Sequence, residues 1–111
     1  MTEAFLQYVW RHRMLSGDLS THDGQPVSVE YPGTQNADAG PDFTGAVVSI
    51  DGVRWAGNVE VHISSSDWNR HGHQTDPAYN NVVLHAVYEH DCDVRTQAGA
   101  TLPVIEMKRF I

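Results

Sequence analysis

Apolar positions recur along this chain with two different periods, and each change of period marks a boundary between elements. Residues 3–15, Glu-Ala-Phe-Leu-Gln-Tyr-Val-Trp-Arg-His-Arg-Met-Leu, follow helical spacing. Thr2 is a suitable N-cap and Ser16-Gly17 a suitable stop, so the pattern predicts an amphipathic helix with Phe5, Leu6, Val9 and Trp10 packed on a sheet. Asp23-Gly24 reads as a turn, and residues 26–31 alternate as a strand that Pro32-Gly33 ends. Residues 32–41, with Gly, Asn, Asp and Pro, read as a loop leading to Asp42. Ser64-Ser65-Ser66-Asp67-Trp68 can start a helical turn, and Thr75-Asp76-Pro77 offers a second helix start with proline in the first helical position. Residues 82–89, Val-Val-Leu-His-Ala-Val-Tyr-Glu, are nearly continuously apolar and read as a buried central strand. A turn at Ala98-Gly99 precedes a last strand over 102–110. The order predicts one α+β (mixed α/β) domain over residues 1–111, with an N-terminal helix on a mixed central sheet and short helices beside it.

The segment 42–63 carries the sharpest prediction. Asp51-Gly52 is a hairpin signal between two alternating runs. A two-residue loop there pairs Ile50 with Val53 and Phe43 with Glu60, which mixes apolar and polar side chains on one face. A three-residue loop, Ile50-Asp51-Gly52, sets Asp42 opposite Glu60. It also gathers Phe43, Val47, Val53, Trp55, Val59, Val61 and Ile63 on one face, with Asp42, Thr44, Arg54, Asn58, Glu60 and His62 on the other. The pattern therefore predicts the three-residue loop.

Two carboxylates opposed at this range normally repel. A divalent cation between them removes that conflict, and hard cations such as magnesium take one or two carboxylates plus waters and substrate phosphate. Asp42 and Glu60 are thus candidate metal ligands, and His62 shares their face. Seven histidines invite a zinc reading as well: His71 and His73 can present imidazoles from one loop, although no cysteine accompanies them at finger spacing. His85 reads as a hydrogen-bonded core histidine, and His12 and His90 as solvent-facing. Asp38 and Asn58 are second-line candidates with His71 and His73; the plainer reading of Asp38 is a turn aspartate. Glu106-Met107-Lys108 repeats the Glu-x-cation pattern, which reads either as a solvated edge strand or as a source of a catalytic lysine, Lys108.

Charge narrows the partners. The net charge is −7 with only seven lysines and arginines, which is not the footprint of a stable nucleic-acid binder. It suits a nuclease whose metal supplies local positive charge, or one whose basic surface comes from a homodimer partner or an additional domain. The single cysteine, Cys92, lies between Asp91 and Asp93 and reads as a bystander. No run is long and apolar enough to span a bilayer and no signal-peptide pattern opens the chain, so the expected location is cytoplasmic, without a membrane partner.

Gly40-Pro41-Asp42-Phe43, then a hairpin, then Glu60-Val61-His62 and a serine-rich step resembles the core of PD-(D/E)XK nucleases. The resemblance implies a restriction-endonuclease-like core and magnesium- or manganese-dependent hydrolysis of phosphodiester bonds in DNA or RNA. Asp42 and Glu60 would be the metal ligands, and His62 stands where that superfamily has lysine. A longer resemblance is to the bacterial family of domain of unknown function 2851. It is carried by Phe5-Leu6-Gln7-Tyr8-Val9-Trp10, Asn36-Ala37-Asp38-Ala39-Gly40-Pro41-Asp42-Phe43 and Trp55-Ala56-Gly57-Asn58-Val59-Glu60-Val61-His62. It continues through Ser65-Ser66-Asp67-Trp68, His71-Gly72-His73 and Tyr79-Asn80-Asn81-Val82-Val83-Leu84-His85. Members of that family are longer, which implies an N-terminal piece of a longer architecture or a minimal version of it. The expected function is a metal-dependent nuclease with Asp42, Glu60, His62 and Lys108 as its catalytic set. The alternatives are a binding or assembly module that has lost activity, and a zinc-binding, histidine-rich domain.

Overall fold

In the computed structural model, which describes residues 1–111, Thr2 caps the first helix as expected: its hydroxyl accepts the Phe5 amide at 3.1 Å. Helix α1 spans Glu3–Arg11, four residues shorter than the sequence pattern. The chain leaves it at His12, and Arg13 takes a left-handed conformation (φ 53°) while its guanidinium reaches the Glu30 carbonyl. Leu6, Val9 and Trp10 are buried as predicted, and the Trp10 indole donates to the Pro32 carbonyl at 2.9 Å. Phe5 is not part of that face and remains 45% exposed.

Six strands form one mixed sheet: β1 (Val27–Tyr31), β2 (Thr34–Gln35), β3 (Phe43–Ile50), β4 (Val53–Ser64), β5 (Val82–Glu89) and β6 (Val104–Glu106). The order is β1-β3-β4-β5-β6, with β2 also on β3, so β1 and β2 together cover one edge of β3. The first pairings are antiparallel, whereas β4–β5 and β5–β6 are parallel. The apolar run at 82–89 is an interior strand over its full predicted length, flanked by β4 and β6. The predicted last strand is shorter, because Met107–Arg109 form a 3-10 turn that takes Lys108 out of the sheet.

The hairpin corrects the predicted loop. Ile50 pairs with Val53, so the loop has two residues, Asp51 (φ 51°) and Gly52 (φ 78°), in the doubly left-handed form that Asp-Gly favours. Further along, Ala46 pairs with Gly57 but Phe43 pairs with Val59, so Thr44 and Gly45 oppose Asn58 alone. This bulge, with Gly45 at φ 66°, switches which side chains face the core. Phe43 is buried on one side of it; Ala46, Val48 and Ile50 are buried on the other, and the single face predicted for Phe43, Val47, Val53 and Trp55 does not exist. Val53 and Trp55 stay about half exposed, at 53% and 49%. The bulge undoes the one-residue offset of the tight loop and returns Asp42 to Glu60.

Strand alternation then sorts two cores. Val59 and Val61 on β4, with Leu84 and Ala86 on β5, face Leu6, Val9 and Trp10 of α1. The other face is covered by the segment between β4 and β5 together with residues 94–102, through Trp68, Tyr79, Val82, Val94 and Leu102. That segment consists of the short helix α2 (Asp67–Arg70) and 3-10 turns at His73–Thr75 and Pro77–Tyr79, the latter capped by Asp76 as its Asp-Pro step suggests. Each large apolar side chain buried on either face contributes roughly 1.5–3 kcal/mol. No helix is long and apolar enough to cross a membrane.

Candidate metal centre

Glu60 and His62 alternate away from the α1 core and project beneath the β4–β5 connection, where both are almost fully buried (4% and 1% exposed). Asp42 enters from the start of β3 and is half-buried. Its amide donates to Glu60 Oε1 at 3.0 Å, and its own Oδ2 accepts the Val61 amide at 2.9 Å. The ladder is thus continued by side chains, which fixes both carboxylates without a ligand. Burial pushes Asp42 up to about 7, and the hydrogen bond and charge of Glu60 add to the shift. Burial also pushes Glu60 up to about 7, against the lowering effect of its hydrogen bonds with Asp42. The pair retains a proton close to neutrality, shared between two coupled sites.

Three imidazoles meet this pair. His73 Nε2 lies 2.8 Å from Glu60 Oε2, and His62 Nε2 lies 3.5 Å from the same oxygen. The His73 contact is close but misaligned for a hydrogen bond, which leaves Nε2 buried beside a carboxylate and without a hydrogen-bond partner. His71 completes the set: one nitrogen each of His62, His71 and His73 fall within 4.8 Å of one another. A tetrahedral centre with bonds of 2.0–2.1 Å spaces its ligand atoms about 3.3–3.5 Å apart, so adjustments of the three imidazoles would let them hold one cation, with Glu60 beside two of them.

Local sequence explains the convergence. Gly72, left-handed at φ 73°, turns the chain directly after α2 so that His71 and His73 flank the turn. Tyr79 stacks on His73 at 3.7 Å between ring centroids, and Trp68 meets it edge-on at 5.1 Å. On the other side of His62, Nδ1 lies 2.7 Å from Nε2 of the fully buried His85. This contact sets the His62 ring so that Nε2 faces Glu60, the arrangement by which outer partners orient metal-ligating histidines. Burial keeps His62 neutral, pushing it down to about 3, and lowers His73 and His85 as well. Neutral imidazoles are the form that binds metal. His71 is exposed and Asp42 half-buried, so the cluster opens to solvent on that side.

The structure brings Asp42, Glu60, His62, His71 and His73 together, and His85 is the hydrogen-bonded core histidine expected. It does not bring Lys108 to them: the ammonium is exposed and pairs with Glu89 at 3.3 Å. Glu106, read as solvated, is buried and accepts the His90 amide and the Arg109 guanidinium, both at 2.8 Å. Asp38 is an exposed turn residue whose amide donates to Asn36 Oδ1, and Asn58 contributes its backbone amide to Asn81 rather than a side chain to the cluster. Two acids were missed. Burial raises the Glu3 carboxyl, and Asp42, His71, Asp67 and His73 act on it electrostatically, which puts the start of α1 beside the cluster. Asp67 Oδ2 accepts the Ser64 amide at 3.1 Å at the end of β4. An acid in a first helical turn reads as a complement to the helix dipole, so neither position signalled chemistry.

A family model described as "Protein of unknown function (DUF2851)" matches residues 3–111, and the chain belongs to that family. No curated protein and no solved structure matches it.

Proposed function

We propose that this member of the family is a metal-dependent phosphodiesterase, a nuclease with a restriction-endonuclease-like core acting in the cytoplasm. The observation that carries the reading is the convergence on Glu60: Asp42 at the entry to the neighbouring strand, with His73 and His62 at 2.8 and 3.5 Å from one carboxylate oxygen. Paired acids on adjacent strands are also the feature by which the chain resembles PD-(D/E)XK nucleases.

The imidazoles shift the expected metal. Magnesium takes oxygen ligands, whereas a set of imidazoles with carboxylate suits manganese or zinc better. Glu60, His62, His71 and His73 would hold the ion, which when bound supplies a Lewis acid for the phosphoryl oxygen and an acidified water. His62, kept neutral far below the usual histidine range, suits a ligand and not a base. Asp42, titrating near 7, is the better group to take the proton of the attacking water. The excess of acid over base in the chain argues that a second subunit or domain provides the cationic surface along which nucleic acid runs.

A zinc-stabilised domain without turnover is a second reading, favoured by the burial of Glu60, His62 and His73, all under a tenth exposed. Calorimetric titration of metal-free protein with manganese and zinc, paired with hydrolysis of bis(p-nitrophenyl) phosphate, separates the two. The nuclease reading expects binding that tightens from pH 6 to pH 8, as the Asp42–Glu60 proton is displaced, together with hydrolysis. Tight binding without hydrolysis of this ester or of DNA supports the zinc-stabilised domain, and no binding of either metal removes both.

A further inference from the structure

A second set of potential ligands lies outside that cluster. His22, in the α1–β1 connection, and His90 and Asp93, after β5, bring one ligand atom each within 4.8 Å of one another. Asp93 Oδ1 is 3.3 Å from His90 Nε2 and 3.6 Å from His22 Nε2, close to the ligand separations of a tetrahedral centre. The two rings lie with centroids 4.0 Å apart at 32°, and Nε2 of each lies beside the same Asp93 oxygen.

Both segments are fastened before any ligand arrives. The His22 amide donates to the Val104 carbonyl at 2.9 Å and the His90 amide to Glu106 Oε2 at 2.8 Å, so β6 holds the two histidines from either side. Ser65 holds His90 further. Its fully buried hydroxyl lies 2.9 Å from His90 Nδ1 and 2.9 Å from Asp91 Oδ1, and accepts the Asp91 amide at 2.9 Å. His90 Nδ1 is thereby engaged inside the fold, and Nε2 is the ring nitrogen left beside the Asp93 carboxylate.

We propose that His22, His90 and Asp93 form a second metal site for a divalent cation of the zinc class. Two imidazoles and one carboxylate are ligands of that class, and Asp93, on the surface, leaves a coordination position open to water. The ion would tie the α1–β1 connection to the β5–β6 connection, joining segments about seventy positions apart in sequence to one edge of the sheet. This site is independent of the proposed hydrolytic function and of the Glu60 cluster.

The test is a zinc titration of full-length His71→Ala protein, in which the first cluster is weakened, following the imidazole nitrogen resonances of His22 and His90 by NMR. Zinc is expected to shift Nε2 of both rings. Asp93→Asn and His22→Ala, neither at a buried position, are each expected to weaken this response by at least about tenfold, since even outer-sphere partners of a metal contribute that much. Resonances that stay unmoved at millimolar zinc overturn the proposal. So does an unchanged response in both variants, confirmed as folded by circular dichroism.

Discussion

Asp42 and Glu60 are joined by a pair of side-chain-to-backbone bonds at the open end of the β3–β4 ladder. The Asp42 amide donates to Glu60 Oε1 at 3.0 Å, and Asp42 Oδ2 receives the neighbouring Val61 amide at 2.9 Å. Two acids that would otherwise repel are thereby held together by backbone donors, while burial pushes both carboxyls up to about 7. The arrangement costs stability once both are ionised, and a cation in the cluster would offset the cost. Strain of this kind is characteristic of functional sites.

Stability against pH should expose the pair in metal-free protein. The folded-state pKa of Asp42 is raised, so the folded state holds a proton that the unfolded state has released. The contribution of Asp42 is therefore most favourable below its unfolded value and declines as pH rises towards about 7. Asp42→Asn removes that decline. Urea unfolding at pH 5 and pH 8 should show the variant gaining on wild type at the higher pH by about 1–2 kcal/mol, allowing for partial solvent screening. A difference independent of pH would mean that Asp42 ionises normally.

The buried His62–His85 contact at 2.7 Å predicts strong coupling. His85→Leu should lose about 1–3 kcal/mol, because His62 Nδ1 is left buried without a partner. Adding His62→Leu should recover part of that loss, since both polar groups are then gone, while metal binding at the cluster falls. A double-mutant cycle by denaturant unfolding measures this, and additive losses would show that the rings are independent.

Two glycines should behave differently. Gly45 is left-handed with open space around it, so Gly45→Ala carries only the backbone penalty of about 1–2 kcal/mol. At Gly57 a β-carbon would lie 2.5 Å from Val83 Cγ1 and 2.6 Å from the Asn81 carbonyl oxygen, and the latter is backbone that cannot rotate away. Gly57→Ala should therefore be the more destabilising, by roughly 1–3 kcal/mol, and should disturb the start of the β4–β5 ladder. Thermal unfolding of the two variants checks the order.

Much of this architecture was legible in the sequence because it rests on local signals. Thr2, Asp76-Pro77 and the apolar run at 82–89 each state an element boundary or a burial state without reference to the rest of the fold. The hairpin shows where such reading stops. Asp42 does meet Glu60, but through a two-residue loop and a bulge at Thr44-Gly45, not through the three-residue loop that the hydrophobic pattern favoured. A glycine inside a strand is the only trace such a bulge leaves. His71 and His73 could be singled out by type and spacing, yet their approach to Glu60 depends on how Trp68 and Tyr79 pack, which is tertiary. Lys108 failed for a local reason: the strand ends at Glu106, and the following 3-10 turn directs the lysine to Glu89.

We propose that Asp42 and Glu60 belong to a hydrolytic metal centre. The most direct test is cleavage of single- and double-stranded DNA by wild type, Asp42→Ala and Glu60→Ala, each with magnesium, manganese and zinc. We expect metal-dependent cleavage by wild type, strongest with manganese or zinc, and a loss of about a hundredfold or more in both variants. Cleavage that persists unaltered in both variants, or wild type inert with every metal on either substrate, would contradict the account.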